Sequence, residues 1–222
     1  MQPQTAVVIG ATGLIGSTVV NYLLNDDRFN VVKLLVRKPL SIKHSKLQIM
    51  LVNFDDLNDF KNKLGKGDCI FCCVGTTNKK VKGNNEAYRK IDYDIPINAA
   101  RLAKKAGFKS YLLVSAVGAN TNSSNFYLKL KGEVERDIAV INFESFQIFR
   151  PSILLGKRNE FRLGELISKG FMKTFSFLLM GSLKKYKPIS ANNVAKAMAI
   201  AAMKNAREKI IYEYDEMKKL LQ

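Results

Sequence analysis

The feature that most constrains this chain is a glycine-rich turn near its start, within residues 7–16. An apolar run leads directly into the turn, and a pattern with helical period begins at Leu14. Between them stand Gly10, Gly13 and Gly16, which gives the spacing GxxGxxG. A strand, a tight glycine turn and a helix in this order predict the first βα unit of a dinucleotide-binding fold.

Each glycine has an expected task in such a turn. We expect Gly10 to make the tight turn, Gly13 to leave room for a pyrophosphate, and Gly16 to let the helix pack closely on the strand. N–H groups at the start of the helix lack partners within the helix, so they would bind the phosphates. The predicted cofactor contacts in this stretch are Gly10, Thr12, Gly13, Leu14, Ile15 and Gly16. The alternative interpretation is a structural strand–turn–helix without a ligand.

Apolar runs and helical patterns alternate along most of the chain. The runs are continuous in hydrophobicity, as in parallel strands covered on both faces. We predict strands over residues 6–9, 31–36, 49–52, 69–74, 111–115, 145–149 and 209–214. We predict helices over residues 14–24, 56–64, 88–106, 127–140, 191–203 (with Ser190 as its cap) and 216–221. This order predicts one α/β domain over residues 1–222, a Rossmann-like doubly wound parallel sheet, with substrate-side capping elements mainly within residues 152–222.

The net charge is +17, because 36 Lys and Arg residues outnumber 19 Asp and Glu residues. Such a charge fits nucleic acid, an anionic membrane surface or an anionic small molecule as partner. The lysines are scattered and no zinc-finger, RRM or KH motif occurs, so we predict no specific nucleic-acid partner. No apolar run reaches the ~18 residues of a transmembrane helix. The closest, residues 171–183, is interrupted by Lys173 and is best explained as core, with a substrate pocket or a bilayer contact as alternatives.

Three cysteines, Cys69, Cys72 and Cys73, fall in one apolar run. With no second ligand pair elsewhere in the sequence, they do not indicate a metal site. In a strand, Cys69 and Cys72 would point to opposite faces, so we expect buried free thiols and not a redox pair. Free thiols, together with an N-terminus that does not resemble a secretory signal, favour a reducing compartment, and we predict the cytoplasm.

The residues that follow the second, third and fourth strands refine the cofactor. An NAD-selective chain carries Asp or Glu after the second strand, whereas this chain has Arg37. Arginine can stack on adenine and pair with a 2′-phosphate, which favours NADP(H). A solvated loop arginine is the alternative. Asp55 is placed to reach the adenine amino group. After the fourth strand we expect cofactor contacts at Val74, Gly75 and Thr76, where a small residue lets the adenosine ribose pass.

A candidate catalytic set follows the fifth strand. Ser115 ends that strand, Tyr127 comes 12 residues later, and Lys131 lies one helical turn beyond Tyr127. Free tyrosine has a pKa near 10, so a tyrosine that moves a proton near neutral pH needs a neighbouring cation. We predict that Lys131 is that cation and also binds the nicotinamide ribose, while Ser115 orients the substrate oxygen. The same Tyr-x-x-x-Lys pattern recurs at Tyr214 and Lys218 without an upstream strand-end serine, which indicates a chance copy.

Together with Phe-Arg-Pro at residues 149–151, these motifs resemble those of short-chain dehydrogenases/reductases of the atypical, extended-related kind. Three stretches are similar to the Tat-interacting-protein-like oxidoreductases, namely residues 123–135, 149–155 and 162–165. The resemblance covers nearly the whole chain. Ser152 departs from it, because many relatives have glycine there. The segment after Pro151 is also short for a nucleotide-sugar pocket, so sugar epimerase activity is not expected.

The resemblance implies NADP(H) bound by the glycine turn, Arg37, the strand-four loop and the Tyr127–Lys131 pair. It also implies cofactor contact after the sixth strand, at Pro151 and Ile153. We therefore predict an NADP(H)-dependent oxidoreductase that acts on a small carbonyl or alcohol, with Tyr127 moving the proton during hydride transfer. The alternative is an NADP(H)-binding regulatory module that acts through a protein partner. The oligomeric state is left open.

Overall fold

The computed structural model describes residues 4–155, 181–204 and 207–222. Its strands are β1 (Gln4–Ile9), β2 (Phe29–Val36), β3 (Leu47–Leu51), β4 (Cys69–Cys72), β5 (Ser110–Val114), β6 (Ser145–Phe149), β7 (Leu154–Leu155), β8 (Ile189–Ser190) and β9 (Lys209–Tyr212). Seven of them form one parallel sheet in the order β3-β2-β1-β4-β5-β6-β9, and β7 pairs with β8 in a small second sheet. The predicted doubly wound parallel sheet is confirmed.

The helices are α1 (Leu14–Leu24), α2 (Leu57–Leu64), α3 (Asn85–Arg89), α4 (Ile95–Lys105), α5 (Phe126–Ala139), α6 (Ala191–Ala202) and α7 (Tyr214–Leu220). A π-helical turn at Lys90–Asp94 joins α3 to α4, and a 3₁₀ turn occupies Gly181–Tyr186. Four helices, α2, α3, α5 and α6, begin with a side chain that accepts a backbone N–H bond. These caps are Asp56, Asn84, Asn125 and Ser190. They satisfy N–H groups that have no partner within the helix.

Two apolar cores cover the two faces of the sheet. Helices α1 and α6 pack over one face and contribute Val19 and Met198. Helices α2, α4 and α5 pack over the other face, where Phe60 and Ile138 are fully buried. Because both faces are covered, the central strands read as continuous apolar runs in the sequence.

The strand β4 shows how the two cores divide the side chains of one strand. Cys69 lies in the first core and Cys72 in the second, as the alternation of a strand requires. Both residues and Cys73 are buried free cysteines, which confirms the prediction made for them. Burial raises the pKa of the Cys69 and Cys72 thiols, so both stay protonated at neutral pH.

The largest local difference from the sequence prediction lies in the helix expected over residues 88–106. It divides into α3, the π-helical turn and α4. Pro96 explains the interruption, because proline has no N–H to donate to the carbonyl of Asp92, four residues earlier. The π turn just before it adds one residue to the helical register.

The C-terminal elements belong largely to the main layers of the fold. Strand β9 extends the sheet beside β6, and α6 packs against α1. The substrate-side cap predicted within residues 152–222 would therefore consist of the β7–β8 sheet, the 3₁₀ turn and residues outside the described part. Residues 162–165, which carry part of the family resemblance, and most of the apolar run at 171–183 lie outside the described part. Within the described ranges, no helix is long and apolar enough to cross a membrane.

Candidate functional site

The glycine turn between β1 and α1 packs backbone against backbone. Gly10 has a φ of +82°, and a methyl group at its Cα would lie 2.6 Å from the carbonyl carbon of Cys73 on the neighbouring chain segment. A methyl group on Gly16 would overlap the carbonyl oxygen of Gly10. Gly13 donates its N–H to the same oxygen over 2.9 Å. Gly10 and Gly16 are therefore required by close approach within the protein before any ligand is considered.

The start of α1 differs from the capped helices. Its N-cap is Gly13, no side chain accepts a bond there, and its first turn carries no acidic residue. Thr12 is exposed and Leu14 half-buried, whereas Ile15 and Gly16 are buried. Ile15 and Gly16 can therefore offer a ligand only their backbone. An 11-residue helix whose first N–H groups are left to an outside acceptor fits a pyrophosphate.

An open cleft of about 820 Å³ lies between the ends of β2 and β3 and the start of α4. Arg37 and Asp55, predicted separately to contact the adenosine end of a cofactor, both line it. Phe54 and Ile91 contribute apolar wall, and the exposed Lys90 lies on the α4 side. A cleft of this size with an apolar wall and charged rim fits an adenosine group.

The loop after β4 is fastened to the helical segment that follows it. Val74 and Thr76 are buried, and Gly75 is half-buried. Thr76 donates its N–H to Asp92 Oδ2 over 2.6 Å, and its carbonyl accepts a 3.1 Å bond from the Tyr88 hydroxyl. Both backbone groups of Thr76 are thus engaged by the protein itself.

The predicted Tyr127–Lys131 pair lies at the start of α5. The cap Asn125 fixes where the helix begins, so residues four apart face the same side. Lys131 Nζ lies 5.9 Å from the centre of the Tyr127 ring. Lys131 is 2% exposed, and its ammonium pairs over 3.0 Å with Asp92 Oδ1, which is fully buried. Tyr127 is half-buried.

Ser115, which follows β5, belongs to a second buried network, and this network reaches α5 at Glu135. Its hydroxyl donates to Glu135 Oε1, and Glu135 pairs with Arg150 through bonds of 3.0 and 2.5 Å. Arg150 Nη1 also lies 3.7 Å from Glu213. The bond to Glu135 raises the pKa of Arg150 further above its ordinary value. Since the only hydroxyl hydrogen of Ser115 goes to Glu135, the hydroxyl has to rotate before it can donate to a ligand.

The segment after β6 is held by backbone bonds on both sides. Pro151 is buried and its carbonyl accepts the N–H of Val117 over 3.0 Å. Ile153 is half-buried and accepts the N–H of Ile189 over 3.1 Å. The Ser152 hydroxyl donates to the carbonyl of Lys187. Ser152 therefore ties this segment to the chain just before β8.

Sequence reasoning did not include Asp92, Glu135 or Tyr88 in the site. Glu135 could have been found, because it lies four residues after Lys131 and four apart is one helical turn. Asp92 could also have been found, because it lies seven residues, or about two helical turns, before Ala99 of the predicted apolar stripe. Tyr88 was read only as the start of a helix.

Comparison with known proteins shows the family to which the chain belongs. A family model described as NAD(P)H-binding matches residues 10–155. The chain belongs to this NAD(P)H-binding family. Protein HTATIP2 of Rattus norvegicus is 32% identical over 174 residues, which cover 77% of this chain and 71% of that protein. The mitochondrial Protein FMP52 of Meyerozyma guilliermondii is 34% identical over 206 residues, covering 89% and 85%. The family resemblance stated from the sequence is confirmed.

A solved structure extends the likeness to the fold of the family. The UDP-N-acetylglucosamine 4-epimerase from Methanobrevibacter ruminantium M1, in complex with UDP-N-acetylmuramic acid, superposes with a TM-score of 0.69 at 17% identity. The match covers 96% of this chain and 77% of that enzyme. The chain therefore carries an NAD(P)H-binding domain with a Rossmann-like fold, whose expected cofactor is a nicotinamide dinucleotide.

Proposed function

We propose that this protein is an NADP(H)-dependent oxidoreductase that acts on a small carbonyl or alcohol substrate. The observation that carries the proposal is the position of Tyr127 and Lys131, side by side on α5 and connected to the strand-four loop of an NAD(P)-binding domain. The bound cofactor would supply or accept a hydride. The residues of the chain would bind it, orient the substrate and move the proton.

The proposed cofactor contacts run along one edge of the sheet. The N–H groups at the start of α1 bind the pyrophosphate and Gly13 leaves room for it, while Gly10 and Gly16 allow the close packing of the turn. At the adenosine end, Arg37 pairs with the 2′-phosphate and Asp55 accepts from the adenine amino group. The remaining contacts are Thr12, Leu14, Ile15, Val74, Gly75, Thr76, Tyr127, Lys131, Pro151 and Ile153.

Preference for NADP(H) rests on Arg37. It is exposed, follows β2 directly and lines the same cleft as Asp55. A guanidinium at this position offers two parallel N–H donors to a phosphate, whereas it offers no acceptor to the 2′-hydroxyl of NAD(H).

In the direction of carbonyl reduction, the phenol of Tyr127 donates its proton to the substrate oxygen as that oxygen gains charge. Lys131 lies close enough to stabilise the phenolate that remains. Ser115 has the proposed role of orienting the substrate oxygen by donating its hydroxyl hydrogen to it. That hydrogen lies on Glu135 in the structure, so the hydroxyl has to rotate towards the substrate, and the single hydrogen of an alcohol substrate stays available to Tyr127.

A panel of small aldehydes, ketones and alcohols, followed at 340 nm with NADPH or NADP⁺, tests the proposal. Tyr127→Phe keeps the ring and removes the acid, so we expect a loss of turnover of at least about a hundredfold, with NADPH binding retained. Tyr214→Phe is the matched control, because it removes a hydroxyl from the chance copy of the motif. Turnover that survives Tyr127→Phe unchanged would exclude Tyr127 as the proton donor.

A second candidate function is an NADP(H)-binding regulatory module that acts through a protein partner. One observation favours it: the other two residues of the predicted catalytic set already have partners within the protein, Lys131 in Asp92 and Ser115 in Glu135. This candidate predicts tight NADPH binding with no turnover on the panel. Detectable turnover that depends on Tyr127 decides for the enzyme.

We also propose a cytoplasmic location. The buried free cysteines fit a reducing compartment. One relative is named as mitochondrial, so fractionation of cells that express the full-length protein tests this point. Recovery with the mitochondrial fraction would contradict it.

A further inference from the structure

Asp92 is the most deeply buried charged side chain next to the proposed reaction site. Its two carboxylate oxygens reach two different elements. Oδ1 lies 3.0 Å from Lys131 Nζ on α5, and Oδ2 accepts a 2.6 Å bond from the N–H of Thr76 after β4. Asp92 is 0% exposed and Lys131 is 2% exposed. Removing two charges from water is costly, so such a pair is weak evidence for stability and calls for another reason.

Asp92 belongs to the π turn at Lys90–Asp94. In a regular helix over residues 88–106 it would lie about 20° from Ala99, because the two residues are seven apart, and so at the edge of the apolar stripe of Ile91, Ile95 and Ala99. In the structure Asp92 is fully buried, whereas Ile91 is half-buried. Single π turns inside helices are frequent at functional sites.

Tyr88 connects the loop after β4 to Tyr127, the other member of the Tyr127–Lys131 pair. Its hydroxyl donates to the carbonyl of Thr76, and its ring meets the Tyr127 ring edge to face at 6.3 Å. Thr76 is thus joined to Lys131 through Asp92 and to Tyr127 through Tyr88. The loop that follows β4 and the Tyr127–Lys131 pair form one connected unit.

We propose that Asp92 is a positioning residue that fixes the Lys131 ammonium beside Tyr127 and ties it to the strand-four loop at Thr76. Placement of that loop by a bound cofactor and placement of Lys131 are then coupled. The expected effect of Asp92 on cofactor affinity rests on the proposed function. The contacts of Asp92 with Lys131 and with Thr76 in the loop do not depend on that function.

A double-mutant cycle on NADPH affinity tests whether Asp92 acts through Lys131. The four proteins are wild type, Asp92→Asn, Lys131→Met and the double variant, each titrated well below its unfolding temperature. Asp92→Asn keeps an acceptor for the Thr76 N–H and removes the charge. We expect it to weaken NADPH binding about tenfold in the wild type and not at all in the Lys131→Met background.

Glu133→Gln is the matched structural control. Glu133 pairs with Arg89 over 2.7 Å and so also joins α5 to the helical segment that contains Asp92. We expect its NADPH affinity to stay within about twofold of wild type. Equal losses in Asp92→Asn and Glu133→Gln, or additive losses in the cycle, would overturn the proposal.

A second measurement needs no cofactor. Lys131→Met leaves Asp92 as a buried charge without its counterion, so amide hydrogen exchange in residues 73–77 should accelerate about tenfold. Adding Asp92→Asn neutralises both members and should restore slow exchange. If the wild type binds no NADPH, the proposed function fails, and this arm still decides the role of Asp92. Exchange that is unchanged in Lys131→Met, or not restored in the double variant, contradicts it.

Discussion

The two ends of the proposed site are built from different materials. At the adenosine end, the glycine turn offers backbone N–H groups, and Arg37 and Asp55 are exposed along an open cleft. At the Tyr127 end, the charged side chains are buried and already paired, Lys131 with Asp92 and Glu135 with Arg150. The first end should therefore be sensitive to added atoms and the second to removed charges.

The difference also bears on the net charge of +17. The glycine turn needs no cationic side chain to hold a pyrophosphate, because the backbone supplies the donors. Lys131, at the other end, is compensated by Asp92. Arg37 is the cation to which we assign a specific anion. The remaining excess can steer a polyanionic cofactor, with the salt dependence expected of exposed charges.

The largest effect is expected from an added methyl group in the glycine turn. Gly16→Ala places a carbon against the Gly10 carbonyl oxygen, and backbone cannot rotate away as a side chain can. We expect a loss of about 3 kcal/mol in the free energy of unfolding and a loss of NADPH affinity of roughly a hundredfold, about 3 kcal/mol. Denaturant unfolding and fluorescence titration measure the two effects.

Ser17→Ala is the control for this substitution, since Ser17 is the next residue of α1 and is exposed. Its stability and affinity should stay close to wild type. A Gly16→Ala protein that binds NADPH normally would show that close packing at the turn is not required.

The next effect comes from the paired charges on α5. Glu135→Gln removes the carboxylate to which Arg150, 20% exposed, donates two bonds, leaves Glu213 at 3.7 Å as the remaining carboxylate, and weakens the acceptor for Ser115. We expect a loss of about 3 kcal/mol in unfolding free energy. Glu133→Gln removes a more exposed ion pair from the same helix and should cost about 0.5 kcal/mol.

Double neutralisation sharpens the same comparison. Glu135→Gln combined with Arg150→Met removes both charges, and part of the lost stability should return. Urea unfolding of the wild type, Glu135→Gln, the double variant and Glu133→Gln gives the four free energies of unfolding. Similar losses for Glu133→Gln and Glu135→Gln would contradict the distinction between buried and exposed pairs.

A smaller effect concerns the thiols of β4, which lies between the two cores. Burial raises the pKa of Cys69 and Cys72 above that of a free thiol, near 8.5. A raised folded-state pKa gives stability that is present below pH 8.5 and is lost as the pH rises towards the folded value. We expect a loss of about 3 kcal/mol in unfolding free energy from pH 7.5 to 9.5 for the two thiols together, about 1.4 kcal/mol for each.

The control is the double variant Cys69→Ala/Cys72→Ala, in which the loss of unfolding free energy between pH 7.5 and 9.5 should be smaller. The native protein should also leave both thiols unmodified by a disulfide reagent at pH 8, and unfolding should expose them. Rapid native modification of Cys69 or Cys72 would contradict their burial.

Much of the adenosine end could be predicted from the sequence, and less of the Tyr127 end. The spacing of the glycines, the positions of the strands along the chain and the capping residue Ser190 are local signals, and the fold preserves them. Asp92 was not predicted, because the apolar stripe of the helix expected over residues 88–106 was traced through apolar residues alone, although Asp92 lies about two helical turns before Ala99. The bond from Ser115 to Glu135 depends on α5 docking against β5, a tertiary contact without a local pattern.

The C-terminal part shows the same limit. A helical pattern correctly predicted α6, but the sequence did not indicate that α6 packs on α1 or that β9 extends the main sheet. Such placement is decided by the fit of whole elements and not by residue order.

The most direct test of the central claim is titration of the purified protein with NADPH and NADH. We expect NADPH to bind at least about tenfold more tightly than NADH, because a 2′-phosphate bound by Arg37 contributes 1.4 kcal/mol or more, roughly the value of one charge-assisted hydrogen bond. Arg37→Ala should abolish the difference, while Arg101→Ala, which removes an equal charge from the exposed side of α4, should retain it. Equal binding of the two cofactors by the wild type, or a preference that survives in Arg37→Ala, would contradict the account.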